Sequence, residues 1–170
     1  MKRNGMQALD FHGPALVGGA LTYFHGASYA GRVVALCFLP YPGHVPAQMI
    51  DRQAQRLSSL GAAFLIVASG ARPLHRVWIG QDDKPLAPVL ADPCGRLHRL
   101  FGVAVAEPAQ RCHTFIIDRT GVLRLRVSHD FIEHDLTVLQ ELIAASQRRV
   151  ARECADDANG RAARASCLLA

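Results

Sequence analysis

Two short apolar runs separated by an amphipathic stretch constrain the fold of this chain more than any other feature. VVALCFL covers residues 33 to 39 and closes at Pro40, and AAFLIVA covers residues 62 to 68. Uninterrupted apolar runs of this length are typical of strands buried on both faces of a sheet. Between them, apolar residues recur at helical spacing and end at a glycine: Ala47, Ile50, Ala54, Leu57, Leu60 and then Gly61. The sequence therefore predicts a strand–helix–strand unit with parallel strands.

The second half of the chain predicts further elements of an α/β domain. In LADP, Asp92 is expected to cap a helix whose first residue is Pro93. TFIID at 114 to 118 and VLRLRV at 122 to 127 flank a tight turn and predict an antiparallel hairpin. A last helix is expected from about Asp130 or Glu133 to Arg149. We expect a three-layer, thioredoxin-like α/β domain with a central mixed sheet and helices on both faces.

The length of 170 residues suits one domain. Residues 1–150 are expected to form it, and residues 151–170, which mix Ala, Arg and Asp without a period, are expected to be a disordered tail. We see no apolar run of signal-peptide or membrane-spanning length, so a cytoplasmic protein without membrane contact is expected.

Charge and cysteine content exclude several classes of protein. Nineteen Lys and Arg oppose fourteen Asp and Glu, and this modest excess does not by itself predict nucleic-acid binding. Five cysteines occur without a C-x-x-C pair, which argues against a disulfide framework and a structural zinc. SHDFIEHDL at 128 to 136 is dense in His and acidic residues, but these are expected to cap the last helix. The sequence predicts no metal and no cofactor.

Three ordered patterns carry a family resemblance. YAGRVV at 29 to 34 resembles a "GK-VV" strand entry, LADP with LFGV at 100 to 103 resembles "SDP…YGV", and TFIID with GVLR at 121 to 124 resembles "TFIID…G-x-x-R". Together they resemble the peroxiredoxin family of alkyl hydroperoxide reductases and thiol-specific antioxidant proteins over roughly residues 8 to 145. The resemblance implies a thioredoxin-like fold and a history of hydroperoxide reduction by a cysteine.

That cysteine lies, in the family, in a P-x-x-x-[TS]-x-x-C loop at the mouth of a helix. Laid on this chain from Pro40, the motif places His44 at the Thr/Ser position and Ala47 at the cysteine, and an alternative match places Pro46 there. The family arginine falls on Cys112, and Arg111 is one residue away. The resemblance therefore implies a degenerate peroxiredoxin without its peroxidatic thiol, with a binding or assembly role.

The alternative function is that of an active thiol oxidoreductase, which would use another cysteine of the chain. Cys94 is expected in the first turn of a helix with His98 one turn later, where the helix N-terminus favours a thiolate. Cys112 is expected at the start of a strand beside Arg111. Cys37 lies inside an apolar strand, where a thiol is expected to behave as a small hydrophobe. Cys154 and Cys167 fall in the tail.

A homodimer or another protein partner is also expected. Peroxiredoxins commonly pair through the hairpin edge strand or through loops around the active site. The loop is the preferred surface here because it is apolar and has no thiol to keep accessible: Tyr41, Pro42, Val45 and Pro46.

Overall fold

The computed structural model describes residues 9–40, 45–69, 85–104 and 111–167. Across these residues, seven strands form one sheet in the order β2-β1-β5-β4-β3-β6-β7. The strands are β1 (His12–Val17), β2 (Ala20–His25), β3 (Val33–Leu39), β4 (Ala62–Ser69), β5 (Val89–Asp92), β6 (Cys112–Ile117) and β7 (Leu123–His129). The helices are α1 (Ala47–Ser59), α2 (Arg96–Phe101) and α3 (Glu133–Cys167), with a 3-10 helix at Gly26–Tyr29.

The predicted strand–helix–strand unit forms the centre of the sheet. All seven residues of β3 are buried, and β3 pairs in parallel with β4 along their whole length. On its other side β3 pairs antiparallel with β6, which in turn pairs antiparallel with β7. The parallel and antiparallel pairs together confirm the mixed sheet expected from the sequence.

Because side chains alternate between the two faces of a strand, β3 contributes to two separate cores. Cys37 and its same-face neighbours pack with Ile50 and Leu57 of α1 and with Leu139 and Ile143 of α3. Phe38 and its same-face neighbours pack on the opposite side with Leu97 of α2 and the N-terminal residues Leu9 and Phe11. Helices therefore cover both faces, and the three-layer α/β fold is confirmed.

The prediction that a helix begins within LADP, with Asp92 as its cap, is wrong. Asp92 is the last residue of β5, Gly95 takes the left-handed conformation with φ 64°, and α2 begins only at Arg96. The glycine at this position lets the chain turn once more before the helix starts. Cys94 consequently lies before the helix and is exposed.

The last helix continues farther than the sequence predicts. Its buried residues Leu136, Leu139 and Ile143 match the predicted stripe, but the helix extends to Cys167 instead of ending near Arg149. Good helix formers such as Ala and Arg continue past the stripe and support a helical backbone. No helix among the described residues is both long enough and apolar enough to cross a membrane. That residues 151–170 are dispensable for folding stays a prediction.

Candidate functional site

A pocket of about 360 Å³ opens where α1 begins and where the segments at the start of β6 and the end of β7 meet. Three structural segments form its wall, and they are far apart in sequence. The lining residues are Val45, Pro46, Met49, Arg111, Asp130, Phe131 and Ile132. The structure thus brings Arg111 beside Val45 and Pro46, at the end of the loop that resembles the family's active-site loop.

The two charged residues of the pocket face each other. Arg111 Nε lies 3.6 Å from a carboxylate oxygen of Asp130, and both side chains are about half exposed, at 51% and 54%. An ion pair this exposed contributes little to stability. It does neutralise the guanidinium locally, so Arg111 is less available to an anionic group entering the pocket.

The residue at the start of α1 has no reactive group. Pro46 is the N-cap, without a side-chain cap, and Ala47 is the first helical residue, 2% exposed. The seven residues that line the pocket include no cysteine. Pro40 is described and follows β3, whereas His44 lies outside the described residues. Whether the family cysteine corresponds to Ala47 or Pro46, the pocket's helix end carries no thiol there.

Two buried thiols lie on the sheet beside this pocket. Cys37 is opposite Thr114 in the pairing of β3 with β6, and Cys112 lies two residues before Thr114 on the same face. Both cysteines are almost completely buried, at 0% and 1% exposure, and each thiol shifts the pKa of the other. The same hydrophobic cluster contains Val45, and Phe131 packs against it. Two lining residues of the pocket therefore also take part in the hydrophobic core that contains both thiols.

His129 completes the buried cluster. It is opposite Cys112 in the pairing of β6 with β7, and its Nε2 lies 2.8 Å from Thr114 Oγ1. Its Nδ1 lies 2.9 Å from the backbone oxygen of Asp130. A carbonyl oxygen only accepts, so Nδ1 carries a proton and, in the neutral ring, Nε2 is the acceptor that faces Cys37 and Thr114.

Proton affinity within this cluster is divided unequally. The hydrogen bond from Cys112 lowers the pKa of Cys37 against the opposing effect of burial, and His129 lowers that pKa further. The same bond to Cys37, together with burial, raises the pKa of Cys112. Burial lowers the pKa of His129, but its interactions with Cys37, with the Asp130 backbone and with the Asp135 carboxylate together outweigh burial, and the net pKa is raised. Of the two thiols, Cys37 therefore gives up its proton more readily than Cys112.

His98, the predicted partner of the candidate thiol Cys94, is bonded to another residue. His98 is buried, and its Nδ1 lies 2.7 Å from Asp92 Oδ2 while its backbone N–H donates to the same oxygen at 2.9 Å. The edge-on ring of Phe38 packs on His98 at a centroid distance of 4.9 Å. His98 therefore anchors α2 to β5, and the expected pairing of His98 with Cys94 is wrong.

Sequence reasoning treated Cys37 as a small hydrophobe and placed His129 in a segment that was expected to cap the last helix. Their contact depends on the register of three strands, because β3, β6 and β7 lie side by side although residues 37, 112 and 129 are distant in sequence. The available signal was that Thr114 and His129 fall on the apolar face of strands with alternating patterns, Thr114 with Ile116 and His129 with Leu125 and Val127. The side chains of Cys154 and Cys167 lie outside the described residues.

Comparisons with known proteins agree with this fold. Peroxiredoxin tpx1 of Schizosaccharomyces pombe is 28% identical, covering 71% of this chain and 68% of that protein. Peroxiredoxin-2 of Rattus norvegicus is 33% identical, covering 71% of this chain and 66% of that protein. The chain thus spans about two thirds of the length of these curated relatives. No family model matches it.

Solved structures show the same architecture. The AhpC of Enterococcus faecalis superposes with a TM-score of 0.67 at 22% identity, over 84% of this chain and 90% of that one. The reduced 2-Cys peroxiredoxin of Plasmodium vivax superposes with a TM-score of 0.65 at 13% identity, over 83% and 94%. At such identities these matches establish the fold, and the thioredoxin-like assignment is confirmed.

Proposed function

We propose that this chain, which belongs to the peroxiredoxin family, lacks the family's peroxidase chemistry. Its pocket then serves binding or assembly. The observation that carries the proposal is the methyl side chain of Ala47, buried at the first position of α1 beside the pocket. A cysteine in this place would have received the helix N-terminus as an activating group.

The relative size of two losses supports this reading. A correctly placed donor such as an arginine contributes about 3 to 4 kcal/mol to transition-state stabilisation. Losing a covalent nucleophile can cost on the order of a millionfold in rate, roughly 8 kcal/mol. Arg111 is displaced by one residue and is paired with Asp130, but the missing nucleophile is the larger loss and decides the outcome.

Steady-state turnover tests the absence of peroxidase chemistry. With hydrogen peroxide and excess dithiothreitol, peroxide should disappear no faster than with the same concentration of free cysteine, because the pocket presents no thiol at α1. Loss of peroxide is followed by a colorimetric assay. Turnover far above the free-cysteine control would overturn the proposal.

The proposed partner is a second copy of this chain, bound at the pocket mouth. Pro46 and Ile132 are exposed there, Ile132 at 51%. Val45, expected in the exposed loop, is instead 3% exposed and packs in the core, because its side chain joins the cluster beneath α1. Tyr41 and Pro42 lie outside the described residues. One solved relative, a Plasmodium yoelii Prx1a modified at its N-terminus, is described as forming an artifactual octamer.

Sedimentation of two matched variants locates such an interface. Ile132→Lys is expected to shift the protein from dimer to monomer, because a charge would be buried at the contact. Leu123→Lys, a similarly exposed residue on edge strand β7, is the control and should leave the dimer intact. If the wild-type protein is a monomer at micromolar concentrations, the proposed dimer is wrong. If Leu123→Lys breaks the dimer and Ile132→Lys does not, the interface lies at β7.

A second candidate function is thiol-dependent oxidoreduction. The contact between Cys112 and Cys37 favours it, whereas the exposed Cys94 has no such partner among the described cysteines. The proposed location is the cytoplasm, since free thiols in contact suit a reducing compartment.

A further inference from the structure

We propose that Cys37 and Cys112 form a buried two-electron redox centre, which hydrogen peroxide converts into a disulfide across strands β3 and β6. The centre goes beyond the proposed binding function, because it uses thiols that the family motif does not assign and that do not line the pocket. It rests on the placement of the two cysteines, on His129, and on the pocket beside them.

The placement of the thiols comes first. Cys37 and Cys112 lie diagonally on neighbouring antiparallel strands, on the same face, and both belong to the same buried hydrophobic cluster. Diagonal neighbours on such strands lie about 7 to 8 Å apart at Cα, slightly beyond the usual disulfide span of about 4.4 to 6.8 Å. Cys112 is the first residue of β6, so a small shift at a strand end is enough to close the bond.

His129 supplies the proton acceptor. Its Nδ1–H donates to the carbonyl of Asp130, which fixes the ring orientation and directs Nε2 toward Thr114 and Cys37. A thiol beside a base that is itself held by a third group is the general arrangement of an activated nucleophile. The carboxylate of Asp135 adds negative charge near this ring, and it accepts a hydrogen bond from the backbone N–H of Asp130.

Access comes from the pocket. Arg111 and Asp130 line it, and each is the immediate chain neighbour of a cluster residue, Cys112 and His129 respectively. Its volume of about 360 Å³ is some ten times the roughly 30 Å³ share of one water molecule, so it easily admits hydrogen peroxide. Cys37 and Cys112 are almost completely buried and do not line the pocket, so peroxide reaches either sulfur only when the packing around them opens. Oxidation is therefore slow, and its rate does not exceed that of free cysteine.

The chemistry balances with hydrogen peroxide as the oxidant. His129 takes the proton of Cys37, the thiolate sulfur attacks one peroxide oxygen, and the O–O bond breaks. The departing hydroxide takes that proton back and leaves as water, with a sulfenic acid at Cys37. The sulfur of Cys112 then attacks the Cys37 sulfur, the S–O bond breaks, and the departing hydroxide leaves as water with the Cys112 proton. Two thiols lose two electrons, and one peroxide becomes two waters.

Peptide mapping of the full-length protein tests this centre. After exposure to millimolar hydrogen peroxide, free thiols are blocked under denaturing conditions and the digest is analysed by mass spectrometry. We expect a linked peptide pair joining Cys37 to Cys112 that accounts for most of both cysteines and disappears after treatment with dithiothreitol. A triple variant is the simpler sample, and it carries Cys94→Ser, Cys154→Ser and Cys167→Ser. On oxidation it should give the same link, and its mass should fall by that of two hydrogen atoms.

The matched control is Cys112→Ala in that triple variant, where the linked pair should be lost and Cys37 should gain oxygen instead. Circular dichroism checks that each variant is folded. If Cys37 and Cys112 stay fully available to the blocking reagent while Cys94 of the wild-type protein is oxidised, the centre is overturned. The proposed function fails by a different result, rapid peroxide turnover, so the two failures are distinguishable.

Discussion

Replacing Asp92 by alanine is expected to lower the free energy of unfolding by about 3 to 5 kcal/mol. Its Oδ2 accepts both the backbone N–H and the ring Nδ1 of His98, and both residues are under 5% exposed. Without the carboxylate, two buried donors lose their partner and cannot reach water. At roughly 2 to 4 °C per kcal/mol for a domain of this size, the thermal midpoint should fall by about 6 to 20 °C.

The control for this change is Asp156→Ala, since Asp156 is exposed on α3; it should shift the midpoint little. Burial raises the pKa of Asp92, but the hydrogen bonds from His98 and Leu97 outweigh burial and lower it. A carboxyl group with a depressed folded-state pKa stabilises the fold above its unfolded value of about 3.9, and this contribution is lost as pH falls through the folded pKa. The gap between wild type and Asp92→Asn should therefore close in acid below about pH 4. A midpoint indifferent to Asp92→Ala would refute the anchoring role.

Replacing Ala47 by cysteine is expected to raise the second-order rate with hydrogen peroxide about tenfold over wild type. At the first position of α1 the helix N-terminus lowers a thiol pKa, and at neutral pH this raises the thiolate fraction from a few per cent to about half. Full family activity is not expected, because Arg111 is paired with Asp130 and His44 replaces the Thr/Ser of the motif. The rate is measured by competition with a haem peroxidase.

Two further variants separate the possible explanations. Ala47→Ser has nearly the same size and should match wild type, which shows that the sulfur is responsible. Pro46→Cys tests the alternative sequence match, because Pro46 is the exposed N-cap and lies just before the helix. If Pro46→Cys reacts faster than Ala47→Cys, the family cysteine corresponds to position 46. Equal rates for Ala47→Cys and wild type would mean that this helix end activates no thiol.

The central fold was predictable because its evidence is local. Apolar runs at 33–39 and 62–68 with an amphipathic helix between them can bury their side chains in few ways, and β3, α1 and β4 confirm this. The hairpin of β1 and β2 was missed, although Gly18 and Gly19 both adopt positive φ at its turn. A Gly-Gly pair between short strands is a known hairpin signal. The predicted helix start after LADP was wrong because Gly95 turns the chain before the helix begins.

The candidate site was likewise predictable only where its evidence is local in the sequence. That Pro46 and Ala47, at the start of α1, are not cysteines is visible in the sequence, whereas their match to the family cysteine and the displacement of Arg111 stay predictions from motif spacing. The cluster of Cys37, Cys112 and His129 could not, because it exists only once β3 and β7 both flank β6 in register. A one-residue change in that register would place Cys37 and Cys112 on opposite faces.

The most direct measurement of the central claim is the second-order rate constant of the unmodified protein with hydrogen peroxide, taken in single turnover beside free cysteine at the same pH. The account predicts a value no higher than that of free cysteine, because the thiol at α1 is missing and the remaining pair is buried. A value orders of magnitude higher, abolished by substituting one of the protein's own cysteines, would contradict it and would show that this chain is a peroxidase with a relocated thiol.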